Sequence, residues 1–219
     1  MLNKLSKFLS EHSQITLIVS IMLMIFFSPY YWQAPFANYF NFLFLALILL
    51  SAILTMKKSS IEMKKVSKTG GYFILAFSLI AAITDDTAIE LVSRILFILF
   101  FVLVAVNLLI GIANSKEVNT QVIFSAVAVY ILYGFCGAIM VALIMFFNPA
   151  AFSMSTTYSS QFHYFLYFSF ITITTTGYGD ILPVSPIARS LAILLALFGQ
   201  LYLTVIIGIL IGKYLSRKA

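Results

Sequence analysis

The chain has 219 residues, of which 62% are hydrophobic and 9% charged, with a formal net charge of +6. A soluble domain carries about 25% charged residues, and 13 basic with 7 acidic side chains cannot cover a globular surface of this size. With a mean hydropathy of +1.07, these figures exclude a soluble fold and predict an integral membrane protein. The single Cys136 excludes an internal disulfide, and with two histidines it cannot build a thiol–imidazole metal site.

A helix needs about 20 apolar residues to cross roughly 30 Å of hydrocarbon. Six stretches approach that length: Ser13–Phe27, Phe36–Met56, Gly71–Thr84, Leu91–Ala113, Val122–Phe147 and Ile187–Leu215. The first and third are short and must borrow flanking residues or thin the bilayer. Tyr30, Tyr31 and Trp32 suit an interfacial anchor for the first. The connecting segments carry the orientation. Lys4 and Lys7, the run Lys57, Lys58, Lys64, Lys65 and Lys68, then Lys116, and finally Lys213, Arg217 and Lys218 all fall on one side of a six-span layout. Asp85, Asp86, Glu90 and Asp180 fall on the other. The positive-inside rule then places both termini in the cytoplasm, with the chain as a multi-pass protein of the cell membrane. The net positive charge therefore reads as a topology signal and not as a nucleic-acid surface. A cleaved signal peptide is the alternative for the first stretch; Glu11 and His12 in its charged region, and the lack of an A-x-A site, argue against it.

Between the fifth and sixth stretches runs FHYFLYFSFITITTTGYGDILP, Phe162 to Pro183. Its first half is aromatic and apolar but too short to span. Its second half places Gly177 and Gly179 on either side of Tyr178, after a run of threonines. Irregular backbone at membrane depth is tolerated only where it lines a cavity or is buried in protein. A half-helix from about Phe162 to Thr174, followed by an extended return, meets that condition.

Thr175-Thr176-Gly177-Tyr178-Gly179-Asp180 closely resembles the filter of the potassium channel family, in particular the prokaryotic six-span kind. In that family, loops of the TVGYG type replace the ion's hydration shell with carbonyl oxygens. The resemblance implies that the Thr175 hydroxyl and the carbonyls of Thr175, Thr176, Gly177 and Tyr178 coordinate K⁺, with Gly179 completing the strand. Glycines suit the alternating left-handed backbone that points successive carbonyls one way. Thr176 replaces the usual Val. The resemblance further implies that Tyr167 and Asp180 brace the outer mouth and that Gly199 is an inner-helix hinge, although a glycine in a membrane helix equally serves as a packing site. It also puts Gln200, Leu203, Ile207 and Ile211 on the cavity and gate face, and their spacing is that of one helical stripe. Pro183 and Arg189 match the family as well. The likeness covers about 122–213, and the first four stretches match the family in number only.

The chain thus reads as an all-α membrane protein with six transmembrane helices, a re-entrant pore helix and a filter, assembled as a homotetramer. A four-helix N-terminal region, 1–121, precedes a pore domain, 122–219. The function implied is passive, K⁺-selective conduction, with no enzymatic activity and no cofactor beyond K⁺ itself. Two alternatives stand beside it. One is a poorly selective cation channel on the same scaffold. The other is an intramembrane aspartyl protease, because Gly177-Tyr178-Gly179-Asp180 also satisfies G-x-G-D; such an enzyme needs a second aspartate, for which only Asp85 and Asp86 are candidates.

The fourth stretch carries Arg94 alone. One such charge in each of four copies supplies roughly 9 kcal/mol per 100 mV if it crosses fully, against the tens a voltage sensor delivers. Arg94 is therefore expected to snorkel and pair with Asp85, Asp86 or Glu90, without strong voltage gating. The five-lysine run is first a topology signal and second a contact for anionic lipids.

Overall fold

The computed structural model of the chain describes residues 13–31, 37–55, 61–84, 86–115, 117–153 and 162–216. Among these there are seven helices: α1 (Ser13–Tyr31), α2 (Ala37–Thr55), α3 (Ile61–Thr84), α4 (Thr87–Asn114), α5 (Thr120–Phe147), α6 (Phe162–Ile173) and α7 (Pro186–Ser216). A two-residue antiparallel pairing joins β1 (Phe152–Ser153) to β2 (Leu182–Pro183). Three helices, α4, α5 and α7, are long and apolar enough to cross a membrane; α1, α2 and α6 contain shorter apolar segments. At 28 residues each, α4 and α5 extend about 42 Å.

Capping chemistry sets the helix limits. Asp86 accepts from the backbone N–H groups of Ala88 and Ile89 at the start of α4, and Asn119 accepts from Val122 N–H at the start of α5. Ser185 Oγ accepts from Ala188 N–H, with Pro186 as the first residue of α7, where a missing N–H costs nothing. The third helix begins ten residues earlier than the apolar pattern alone suggests. Lys64, Lys65 and Lys68 therefore sit on a helix and not in a loop; Lys65 and Lys68 are exposed, while Lys57 and Lys58 lie outside the described residues. Lys4, Lys7, Asp85, Lys116, Arg217 and Lys218 also lie outside them.

Among the described residues, the larger of two hydrophobic clusters draws on all seven helices. Leu17, Ile21 and Met24 of α1 join Phe97, Phe101 and Val104 of α4, Leu132 and Phe135 of α5, Leu166 and Ile173 of α6, and Leu195 of α7. The Phe101 and Phe135 rings meet edge to face with centroids 5.5 Å apart, a preferred aromatic geometry. The expected boundary at 121/122 falls in the first turn of α5, and the helices on either side of it share this core. Arg94 pairs with Glu90 and also donates from Nη1 to the Ala142 carbonyl of α5 at 3.3 Å. Its charge is therefore tied to α5 as well as to its own helix.

Contacts at both ends of α7 help fasten it to the rest of the bundle. A Cβ on Gly137 of α5 would run into Ser169 Oγ of α6 and approach Leu195 Cδ2 of α7 to 2.7 Å, so the three helices meet at a point where only glycine fits. At the other end, Lys213 Nζ donates to the carbonyls of Ile112, Ala113 and Ser115 at 2.8, 2.8 and 2.7 Å. These groups close the C-terminal end of α4, where backbone carbonyls lack helical partners and the helix dipole favours a cation. Gly208 and Gly212, spaced as the G-x-x-x-G of close helix packing, have nothing within 4 Å of where a Cβ would stand, so this small-residue face has no partner among the described residues.

Hydrogen bonds to charged groups contribute about 1.5–3 kcal/mol. Lys213→Met is therefore expected to speed amide hydrogen exchange at the C-terminal turn of α4, around 111–115, by roughly tenfold or more. Unchanged exchange there would show that the ammonium does not hold this turn.

Candidate functional site

The site is built on the C-terminal end of α6. This helix has 12 residues, about 18 Å at 1.5 Å per residue, and so is too short to cross roughly 30 Å of hydrocarbon. Ser169 Oγ, fully buried, donates to the Gly134 carbonyl of α5 at 2.6 Å and fixes the depth of the helix. Phe152 and Phe168 meet edge to face at 5.0 Å and hold its outer flank.

The last four carbonyls of α6 are all engaged. Phe170 O accepts from Thr174 N–H at 3.2 Å and from Thr174 Oγ1 at 2.8 Å. Ile171 O accepts from the N–H groups of Thr176 at 2.9 Å and Gly177 at 3.1 Å, and Thr172 O from Thr175 N–H at 3.0 Å. Ile173 O accepts from the Tyr130 hydroxyl of α5 at 3.1 Å. Donors of the following strand are thus spent on the helix end. Among the described residues, no donor of the chain engages the carbonyls of Thr175, Thr176, Gly177 or Tyr178.

The strand itself alternates. Positive φ occurs at Thr175 (+57°), Gly177 (+50°) and Gly179 (+83°), and neither Thr176 nor Tyr178 shares it. Glycine enters this region without penalty. Thr175 does not: left-handed backbone costs about 1–2 kcal/mol for a residue with a Cβ. The expectation of alternating backbone thus has its counterpart here, extended to a threonine that composition alone does not mark. All residues from Thr174 to Asp180 are exposed on the single chain, and Tyr178 is 72% exposed.

Tyr167 and Asp180 are brought together, the Tyr167 hydroxyl donating to Asp180 Oδ2 at 2.7 Å. The Tyr167 ring stacks with that of Tyr178 at 6.5 Å and 6°. Below the strand, Gln200 Nε2 donates to Thr175 Oγ1 at 3.3 Å. Thr176 Oγ1 lies 3.0 Å from Thr174 Oγ1, so its hydroxyl faces the end of α6. Along α7, Gln200, Ile207 and Ile211 are exposed and Leu203 is half-buried. Ile206, by contrast, is 8% exposed and packs against Ile112, Val122 and Ala126. Asp86 caps α4 and Asp180 holds Tyr167, so these two carboxylates are engaged separately; Asp85 lies outside the described residues. No group of three or more His, Cys, Asp or Glu is gathered among the described residues.

The close approach at Gly199 goes beyond the hinge that the resemblance implies. A Cβ there would stand 2.5 Å from Ile173 O and 3.1 Å from Ile173 Cα. It is a close-approach glycine, and α7 is continuous across it. The phenols that cross-link these helices were also missed: Tyr130 to Ile173, Tyr133 to Leu194 and Tyr202 to Ala126. Their signal was available, since a hydroxyl inside an apolar helix needs a partner.

Residues 122–216 match the family model described as Ion channel. This stretch runs from the first turn of α5 through the strand after α6 to the end of α7. The match supports a channel function, and with the three long apolar helices it supports a place in a membrane. No curated protein and no solved structure matches the chain.

Gly199→Ala is expected to push α7 off α6, because the obstacle is backbone and not a side-chain tip. Overpacking of this kind costs about 1–3 kcal/mol, read as an earlier thermal transition of the purified protein in detergent. Gly208→Ala, which meets open space in the protomer, serves as the control. Equal transitions for the two variants would remove the close approach at Ile173.

Proposed function

We propose that this chain is the subunit of a homotetrameric, K⁺-selective channel. Thr175, Thr176, Gly177 and Tyr178 present their carbonyls, and Thr175 its hydroxyl, to dehydrated K⁺, and Gly179 completes the turn of the strand. The observation that carries the reading is the backbone alternation at 175, 177 and 179 beside carbonyls that no donor among the described residues engages. A row of unpaired carbonyls at membrane depth is costly in lipid and is what a cation stripped of water requires. In this reading α1 to α5 and α7 make six spans, with both termini in the cytoplasm. Asp180 and Tyr167 support the outer mouth, while Gln200, Leu203, Ile207 and Ile211 line the path below it. Anionic lipid headgroups are proposed to meet Lys57, Lys58, Lys64, Lys65 and Lys68. No cofactor other than the conducted ion is proposed.

Protein reconstituted in liposomes is expected to carry K⁺ flux with a reversal potential that follows the K⁺ gradient and not the Na⁺ gradient. Gly177→Ala or Gly179→Ala should abolish selectivity or conduction, because a Cβ disfavours left-handed backbone. A wild-type K⁺/Na⁺ permeability ratio in either variant would defeat the filter assignment. A reversal potential indifferent to which cation forms the gradient would instead favour the poorly selective channel.

The gate has its own test. Rings of Ile207 and Ile211, stiff at χ1 and exposed at 52% and 53% on the protomer, can stop ions by dewetting a narrow path. Ile207→Asn or Ile211→Asn is expected to raise resting K⁺ flux. Ile206→Asn, which turns its amide into the Ile112, Val122 and Ala126 cluster, should lower stability without raising flux. Equal flux changes at all three positions would move the gate elsewhere.

A further inference from the structure

Thr175 is held by few groups for a residue under strain. It is β-branched, and it alone among the described non-glycine residues has positive φ, a conformation such side chains rarely adopt. Its neighbours satisfy their hydroxyls on the carbonyl four residues back: Thr172 on Phe168 O and Thr174 on Phe170 O. That route is closed to Thr175, because Ile171 O already accepts from Thr176 and Gly177. The Thr175 hydroxyl meets Gln200 Nε2 instead, at 3.3 Å. Gln200 reaches it because Gly199, next in sequence, lets α7 lie directly on Ile173.

An amide in the apolar middle of a helix is costly unless it is hydrogen-bonded or hydrated. Here one of its N–H groups occupies one lone pair of the Thr175 hydroxyl. That leaves the hydroxyl one lone pair and its proton, and it restricts rotation about Cβ–Oγ1.

We propose that Gln200 is a positioning residue for the innermost cation site of the filter. Its amide orients the Thr175 hydroxyl, so a residue of the last helix sets how firmly a dehydrated cation is held at the cytoplasmic end of the strand. The proposal rests on the potassium-channel reading above and adds to it a specificity-determining contact between α7 and the filter.

Ba²⁺ has nearly the radius of K⁺ and twice its charge, so its block from the cytoplasmic side reads the affinity of this inner site. The full-length protein is recorded in planar bilayers with Ba²⁺ added on that side. Gln200→Met keeps length and removes the donor; block should weaken by roughly two- to tenfold, the range for one neutral hydrogen bond. Gln200→Asn keeps an amide in the cavity but falls one methylene short of Thr175, and it should weaken block to the same degree. Thr175→Val removes the acceptor, and adding Gln200→Met to it should change nothing further, since the two residues act through one contact.

Three results overturn the assignment: Ba²⁺ block unchanged in Gln200→Met, wild-type block in Gln200→Asn, or Gln200→Met weakening block of the Thr175→Val channel by its full factor. If Thr175→Val does not conduct, the Met and Asn variants decide alone. The two readings fail separately. No K⁺ current from the wild type overturns the channel and the Gln200 role together, whereas K⁺-selective current with block indifferent to Gln200 overturns only the latter.

Discussion

A helix that stops partway through an apolar layer leaves four backbone carbonyls with no helical partner and no water, and everything around the candidate site follows from how α6 meets that constraint. Three of the four carbonyls are satisfied by bending the next residues back under the helix end, so the N–H groups of Thr174 to Gly177 point inward. The fourth, Ile173 O, is beyond the reach of that turn and is taken by the Tyr130 hydroxyl of α5. A chain that spends its donors in this way has none left for the acceptors of the same segment. Strand carbonyls without partners among the described residues are therefore a consequence of terminating α6 in this way, and not a separate feature laid on top of it.

The same carbonyl fixes the last helix. Ile173 is completely buried, and α7 can rest on its backbone only where no Cβ intervenes, at Gly199. One residue later comes Gln200, whose amide reaches Thr175. A single point of contact therefore sets the end of α6, the height of α7 and the orientation of Thr175. On the outer side Tyr167 does comparable work, joining α6 to Asp180 by a hydrogen bond and to Tyr178 by ring stacking. The strand between is anchored at both ends by side chains from rigid elements, which is how a site on irregular backbone keeps its geometry.

Much of this was legible in the residues. Apolar stretches at helical length located α4, α5 and α7 to within a few residues, and the threonine run before Gly177-Tyr178-Gly179 located the break after α6. Other parts were not legible, for physical reasons. Hydropathy ends the third helix where its lysines begin, yet lysine is a good helix former, so the helix continues down to Ile61. Lys213 reads in sequence as one more cytoplasmic charge; its role as a cap on α4 depends on a contact about a hundred residues away. Gly199 reads as a hinge or a packing site with equal ease, because both need a missing Cβ. Thr175 carries no sign of left-handed backbone, since the turn that imposes it belongs to Thr172 and Ile171.

Exposure on the single chain bears on the proposed assembly. In α5, 67% of the most apolar window is buried within the protomer; in α7 the share is 17%. Lipid alone could cover an apolar helix face, since hydrocarbon tails are as apolar as leucine. Lipid cannot cover the strand from Thr174 to Asp180, which is exposed beside that face and carries carbonyls that no donor among the described residues engages. Backbone acceptors of this kind at membrane depth must border water, ions or protein. One copy supplies a single strand with nothing opposite it. Further copies set around an axis beside α7 would cover its free apolar face, enclose the Tyr178 rings, and turn four open rows of carbonyls into closed rings around a path for the ion. In the proposed channel it is the polarity of the strand, more than the hydrophobicity of the helix, that calls for further copies in a bilayer.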